Sequence, residues 1–244
     1  MRLHRFYTTE ELAPGKQITI DSAELCNQVR RVFRLKTGDE IILFNGTGFD
    51  YLVKIANYND SGKMTHDNSM VVDIDTAPPT RSRFQPDRKV FLYAAVVKKD
   101  TFEWIVEKAT ELGVTDIIPV MAERSEKKNL NEERLKKISI EASEQSGRGD
   151  VPVIHSIISL EDSVAQVASG NKIQTVVFHI DGEKFSRDSI SKNEPVACFI
   201  GPEGGWSERE VELFHKNGLQ MRSLGTQVLR AETAVIAALS QVVF

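Results

Sequence analysis

Hydrophobic and polar positions follow two different rhythms along the chain. Up to about residue 75 the apolar stretches are short and β-branched or aromatic, at 41–44, 51–55 and 70–74. The text NGTG at 45–48 and NYNDSGK at 57–63 punctuates them. Such runs between clusters of Gly, Asn and Asp predict strands joined by turns. One interruption has helical spacing: Leu25, Val29 and Val32 fall on one face of a helix expected over 21–33, with Asp21 as its N-cap. Residues 1–75 are therefore expected to form a small β-rich domain, read as a barrel.

The rhythm changes after TAPPTRSRFQPDRK at 76–89. This stretch has three prolines, many charges and few apolar residues. Proline fixes φ and lacks a backbone donor, so the stretch reads as a linker. Beyond it, VFLYAAVV at 90–97 is a continuous apolar run, as expected of a strand buried on both faces. IIPVM at 117–121, TVVFHI at 175–180, VACFI at 196–200 and LQMRSL at 219–224 predict further strands. Helical spacing lies between them. Phe102, Ile105, Val106, Ala109 and Leu112 follow Asp100, the expected N-cap, and Gly113 stands at C′. Helices are also predicted over 131–146, over 159–168 capped by Ser159, from a Ser207/Glu210 capping box to Gly218, and through AETAVIAALSQVVF at the end. Alternation of strand and helix predicts an α/β domain with a mainly parallel sheet over 90–244.

Composition narrows the class. The chain has 244 residues, 41% hydrophobic and 27% charged, which fits a soluble globular protein and not a disordered one. No apolar run is long enough for a transmembrane helix, and MRLHRFYTTEEL lacks a secretory h-region, so a cytoplasmic protein without membrane association is expected. Cys26 and Cys198 give neither a disulfide framework nor a CxxC pair, and the five histidines have no metal-ligand spacing; no metal is expected. Phosphate-loop, Rossmann, zincin and nucleophile-elbow motifs are absent. The net charge of −4 argues mildly against nucleic acid. Its distribution argues the other way: residues 1–36 carry seven Lys/Arg against four Asp/Glu, and residues 80–100 six against two. Clustered cations are the footprint of phosphate binding, although a solvated face is their commoner fate.

The candidate chemistry is concentrated near the C-terminus. FIGPEGGWSERE (199–210) takes a buried strand through three glycines into a capped helix, at the carboxyl end where open α/β sheets bind ligands. LGTQVLRAETA (224–234) repeats the character, with Gly225, then Val228 and Leu229, then Arg230 and Glu232 before an alanine-rich helix. An apolar loop beside a glycine loop suits a flat ring such as adenine packed against backbone. The plain alternative is a tight strand-to-helix turn without a ligand.

GPEGGWSERE followed by LGTQVLRAETA resembles the SPOUT class of S-adenosylmethionine-dependent RNA methyltransferases. Within it, the chain is similar to the small-subunit ribosomal RNA uridine-N3 methyltransferases, the RsmE family. QVRRVFRLKTGDEIILFNG (28–46), KKDTFEWIVEKATELGV (98–114), ERSEKK (123–128) and EASEQSGRGDVPVI (141–154) extend the likeness over nearly the whole chain. The resemblance implies a PUA-like β-barrel over 1–75, a linker over 76–89 and a SPOUT domain with a trefoil knot over 90–244. It implies S-adenosylmethionine as cofactor, touching Phe178, Ile200, Gly201, Pro202, Gly205, Leu224, Gly225, Val228 and Leu229. Ribosomal RNA or the small ribosomal subunit is the implied partner. A homodimer is implied too, with the last helix in its interface; a core helix within one subunit is the other reading of its apolar residues.

Methylation at N3 of uridine requires loss of the N3 proton, so a base or a partner for the developing anion is needed. Glu203, in the glycine loop, is the candidate base, and Arg230 the candidate cation; helix capping and a structural ion pair are the respective alternatives. N3 lies on the pairing edge, so the target must be unpaired or flipped. Arg5, Arg30, Arg31, Arg34, Arg83, Arg88, Arg124, Lys127, Lys128 and Arg148 are the expected RNA contacts, with Arg30 and Arg34 sharing a helix face. Methylation of another base or of a ribose 2′-oxygen, and a non-catalytic RNA-binding assembly factor, are the competing readings.

Overall fold

A computed structural model describes residues 3–59, 69–84, 87–126, 129–169 and 173–244. Two compact units emerge, Met1–Gln85 with Ser143–Asp150, and Pro86–Ala142 with Val151–Phe244.

The first unit is built on β1 (Arg5–Tyr7), β2 (Gln17–Ile20), β3 (Glu40–Phe44), β4 (Phe49–Asn59), β5 (Ser69–Ile74) and β6 (Thr80–Arg81). The sheet order is β1-β3-β4-β5-β2, with β6 beside β4; β1 pairs β3 in parallel and the other pairs are antiparallel. Period-two alternation sends Ile41, Leu43, Val53, Ile55, Met70, Val72 and Ile74 to one core, which Phe6, Ile20, Leu25 and Val29 complete.

The expected helix differs from the structure in three ways. Its cap is Ser22, whose Oγ accepts the Leu25 N–H at 3.2 Å, and not Asp21. The α-helical part, α1 (Ala23–Asn27), passes into a π-wound turn over Gln28–Val32, closed by the Phe33 N–H on the Gln28 carbonyl. This wider winding turns Val32 off the buried face, where it is 72% exposed. It also ends the regular spacing before Arg34, so Arg30 and Arg34 do not share an α-helical face.

The expected linker is partly sheet. Thr80 and Arg81 pair with Asp50 and Phe49, and the buried Ser82 donates through Oγ to Asp50. A two-residue edge strand is compatible with proline-rich text, because only one side of it needs donors. Residues 143–150 also group with the first unit. The Gly149 N–H donates to the Phe84 carbonyl and Glu144 Oε1 accepts the Tyr7 N–H. The regular helical text across 143–146 gives no sign of this division.

The second unit contains one parallel sheet. β7 (Val90–Ala95), β8 (Asp116–Met121), β9 (Val153–Ile154), β10 (Ile158–Ser159), β11 (Gln174–Lys184), β12 (Val196–Ile200) and β13 (Gln220–Ser223) are ordered β10-β8-β7-β12-β11-β13, with β9 beside β8. Along β12, Val196, Cys198 and Ile200 join one apolar cluster while Ala197 and Phe199 join another. Both faces are covered, which is why these strands read as unbroken apolar runs. The helices are α2 (Lys99–Glu111), α3 (Glu132–Ser146, whose last four residues group with the first unit), α4 (Leu160–Ser169), α5 (Glu208–Lys216) and α6 (Ala231–Val243). The N-cap of α2 is Lys98, without a side-chain bond, and Asp100 lies in the first turn. Glu103 does not close a capping box there; its carboxylate pairs with Lys99 and Arg134. The α6 residues Ala231, Val235, Ala238, Leu239 and Val242 are buried in the core of this unit.

Candidate active site

Of three neighbouring strands, β12 and β13 deliver their carboxyl-end loops, and β11 its stretch 178–181, to one cleft of about 370 Å³. The carboxyl edge of a parallel sheet is where such a cleft forms, because chain departs there to opposite faces. After β12, the Gly205 N–H bonds the Pro202 carbonyl at 2.8 Å and closes a tight turn. Gly205 has φ +68°, a left-handed conformation that a side chain would strain. At Gly201 space is the constraint: a Cβ there would lie 3.2 Å from the indole of Trp206. That indole is fixed, its Nε1–H donating to the Phe178 carbonyl at 3.2 Å and its ring set edge-on against Phe214.

Ser207 and Glu210 form the predicted capping box. Glu210 does more than cap: one carboxylate oxygen accepts the Ser207 N–H and the other accepts the Glu123 N–H at 2.8 Å. It thereby ties the loop after β8 to the glycine turn. Arg124, next in that loop, donates to the Gly204 carbonyl at 2.6 Å. On the opposite wall, Ser223 Oγ accepts the Gly225 N–H and holds the second loop at its start.

Phe178, Ile200, Gly201, Pro202, Gly205, Leu224, Gly225, Val228 and Leu229 all line this cleft, as does Glu203. Glu203 is exposed at its rim. Arg230 does not line it. Its backbone caps α6, its side chain is exposed, and it makes no ion pair among the described residues. The cleft also gathers His179, Ile180, Asp181, Trp206 and Gln227. His179 and Ile180 were missed because TVVFHI at 175–180 reads as a buried strand, and Asp181 follows directly after it. The structure puts a register break against β13 between Phe178 and Glu183, and Gly182 lies too close to the Arg222 backbone for any Cβ. The Asp-Gly at 181–182 was the available signal.

The expected RNA contacts separate into two groups. Arg5 is internal: its guanidinium grips Asp50 at 2.6 and 3.0 Å, donates to the Ser143 and Arg148 carbonyls and covers the Phe44 ring. Arg148 is fully buried and paired with Asp150 at 2.7 Å. Arg88 donates to the carbonyls of Ser191 and Val242, and burial lowers its pKa. Arg5 and Arg148 are enclosed by these partners and Arg88 is half-buried against its two carbonyls; a guanidinium's five donors suit clustered carbonyls as well as phosphates. Arg124 belongs to the cleft wall. Arg30, Arg31, Arg34 and Arg83 are exposed. Lys127 and Lys128 lie outside the described residues. Cys198 is a buried apolar residue, its thiol pushed up to about 12 by desolvation. Among the described residues no group of three or more acidic, His or Cys side chains is placed to hold a metal, and no helix is long and apolar enough to cross a membrane.

A family model described as an RNA methyltransferase domain matches residues 85–243, and one described as an RNA methyltransferase PUA domain matches 29–60. The ribosomal RNA small subunit methyltransferase E of Rickettsia conorii is 34% identical, covering 99% of this chain and 96% of its own length. That of Bacillus subtilis is 30% identical over 95% and 91%. Among solved structures, the Legionella pneumophila protein Lpg2936 with bound S-adenosylmethionine matches at 30% identity and TM-score 0.86, covering 99% of this chain and 97% of that one. The ribosomal RNA small subunit methyltransferase E of Neisseria gonorrhoeae, bound to S-adenosylmethionine, matches at 25% identity and TM-score 0.83, covering 98% and 96%. With its glycine cleft at the carboxyl edge of a parallel sheet and relatives aligned over nearly its full length, the chain belongs to the ribosomal RNA small subunit methyltransferase E family.

Proposed function

We propose that this chain transfers a methyl group from S-adenosylmethionine to N3 of a uridine in small-subunit ribosomal RNA. Its family makes it an S-adenosylmethionine-dependent ribosomal RNA methyltransferase. The observation that carries the cofactor assignment is the cleft. Its volume lies within the usual range of small-molecule sites, roughly 300–1,000 Å³, and its walls are backbone and apolar side chains with Gly201 held against Trp206. Phe178, Ile200, Leu224, Val228 and Leu229 would hold a planar base, and the backbone around Gly201, Pro202, Gly205 and Gly225 would supply its polar contacts.

S-adenosylmethionine, when bound, supplies an electrophilic methyl on a sulfonium, so catalysis rests on positioning and on the acceptor. Glu203, at the rim and exposed, is our choice for the base that takes the N3 proton. Arg230, exposed at the start of α6, is our choice for the cation facing the uracil oxygens or an adjacent phosphate. In this reading the first unit is a PUA-like barrel that holds RNA, the second a SPOUT domain with a trefoil knot, and the enzyme works as a homodimer through α6. The linker and domain limits of 76–89 and 90–244 belong to the same reading, amended by the strand at Thr80–Arg81 and by the grouping of 143–150 with the first unit.

Nucleoside mass spectrometry after reaction with small ribosomal subunits, and with naked RNA in parallel, tests the assignment. 3-Methyluridine is expected; a 2′-O-methylated nucleoside or another methylated base overturns the N3 assignment. Glu203→Gln is expected to slow methyl transfer by roughly 10²–10⁴-fold with unchanged cofactor affinity. Full activity removes Glu203 as the base.

A further inference from the structure

The π-wound turn of the first unit exposes an apolar and cationic surface that the methyl-transfer site does not use. Val32 is 72% exposed and Phe33 37% exposed. The two apolar side chains are adjacent in sequence and both are exposed. The Phe33 ring is backed on one side. It stands edge-on to the fully buried Phe6 at 5.1 Å and 81°, and His4 lies 4.5 Å away. The ring is therefore held in place while part of it remains open to solvent.

The backbone that presents it is unusual. Gln28–Val32 is π-wound, a geometry that recurs at functional sites. Arg34, which follows Phe33, has φ +57° and is the one non-glycine residue with positive φ among those described. A side chain there costs free energy that glycine would avoid, and such outliers cluster at working sites. Arg30, Arg31 and Arg34 are all exposed around the two apolar residues, and the Arg30 guanidinium lies over the Tyr58 ring at 5.2 Å.

We infer that Phe33 is a stacking platform for an unpaired base of the substrate RNA, with Arg31 and Arg34 engaging the phosphates on either side. The inference rests on RNA being the substrate. Charge complementarity selects the occupant: three arginines in five residues oppose docking of a second copy of the same patch and favour a polyanion. The open aromatic selects single-stranded over duplex RNA, because only an unstacked base offers its face.

The test uses the full chain and a single-stranded RNA oligonucleotide carrying 2-aminopurine, whose fluorescence falls on stacking. Wild type is expected to bind with quenching. Phe33→Leu should keep the melting temperature close to wild type, lose the quenching and weaken binding by roughly 5- to 100-fold, the usual range for one base–aromatic stack. Phe33→Trp should restore both. Duplex RNA of the same sequence should not distinguish the variants. Unchanged quenching and affinity in Phe33→Leu would overturn the platform, as would a change in sedimentation with no change in RNA binding, which would make the patch a protein interface. If Phe33→Leu unfolds, the comparison passes to Phe33→Trp, and loss of quenching in that variant overturns the platform. Methyl transfer by the wild type separates the two readings: a chain that methylates ribosomal RNA but ignores Phe33 loses only the platform, and one that methylates no RNA loses the substrate assignment as well.

Discussion

The structure treats the two glycine loops, whose cofactor residues the family resemblance implied, differently from the arginines expected to touch RNA. Every loop residue expected to touch the cofactor lines one cleft. Of the arginines expected to touch RNA, Arg5 and Arg148 are enclosed, Arg88 is half-buried on two carbonyls, and Arg124 braces the glycine turn. A run of glycines between a buried strand and a capped helix constrains the local backbone, and local backbone follows from local sequence. An arginine's role depends on which carbonyls and carboxylates the fold brings near it, at separations of 45 residues for Arg5 and Asp50 and 154 for Arg88 and Val242.

The contrast can be broken at its strongest point first. Arg5→Ala leaves the enclosed Asp50 without its bidentate partner, and side-chain exposures of 8% and 13% leave little water to replace it. A loss of about 3–5 kcal/mol in folding stability is expected, read by denaturant unfolding. Near-wild-type stability with weakened RNA binding would return Arg5 to the RNA surface. Next in size, Gly205→Ala forces a side chain into the left-handed region at φ +68° with open space around it. A cost of about 1–2 kcal/mol is expected from backbone strain alone; a neutral or stabilising change would mean that the turn is not held in that conformation. The smallest effect is at Arg31. Its replacement by Ala should leave stability within about 0.5 kcal/mol and reduce the salt-dependence slope of RNA binding by about 1. An unchanged slope would place Arg31 outside the phosphate-contacting set.

The same division explains what could be read in advance. The buried strands at 90–95, 116–121 and 196–200 were legible because both of their faces are covered, leaving no polar alternation to confuse the period. The Ser207–Glu210 box was legible because both partners lie within four residues. The second task of Glu210, accepting the Glu123 N–H, was not, since it joins loops 87 residues apart. The grouping of 143–150 with the first unit begins inside unbroken helical text, at 143–146, and His179 and Ile180 were hidden in an apparently regular strand whose pairing breaks register after Phe178. The π-wound turn was read as α-helix, because apolar spacing over the eight residues from Leu25 to Val32 does not distinguish the two windings and the exposed Val32 fits the α pattern.

The most direct measurement is a calorimetric titration of the full chain with S-adenosylmethionine, for wild type and for Gly201→Val. The Gly201 Cα faces the fixed indole of Trp206 at a distance that admits no added side chain without movement of the wall. Wild type should bind one cofactor per chain, and Gly201→Val should weaken binding at least about tenfold, or roughly 1.4 kcal/mol, while remaining folded. No heat from the wild type, or equal affinity in the variant, would contradict the assignment of the glycine cleft as the cofactor site.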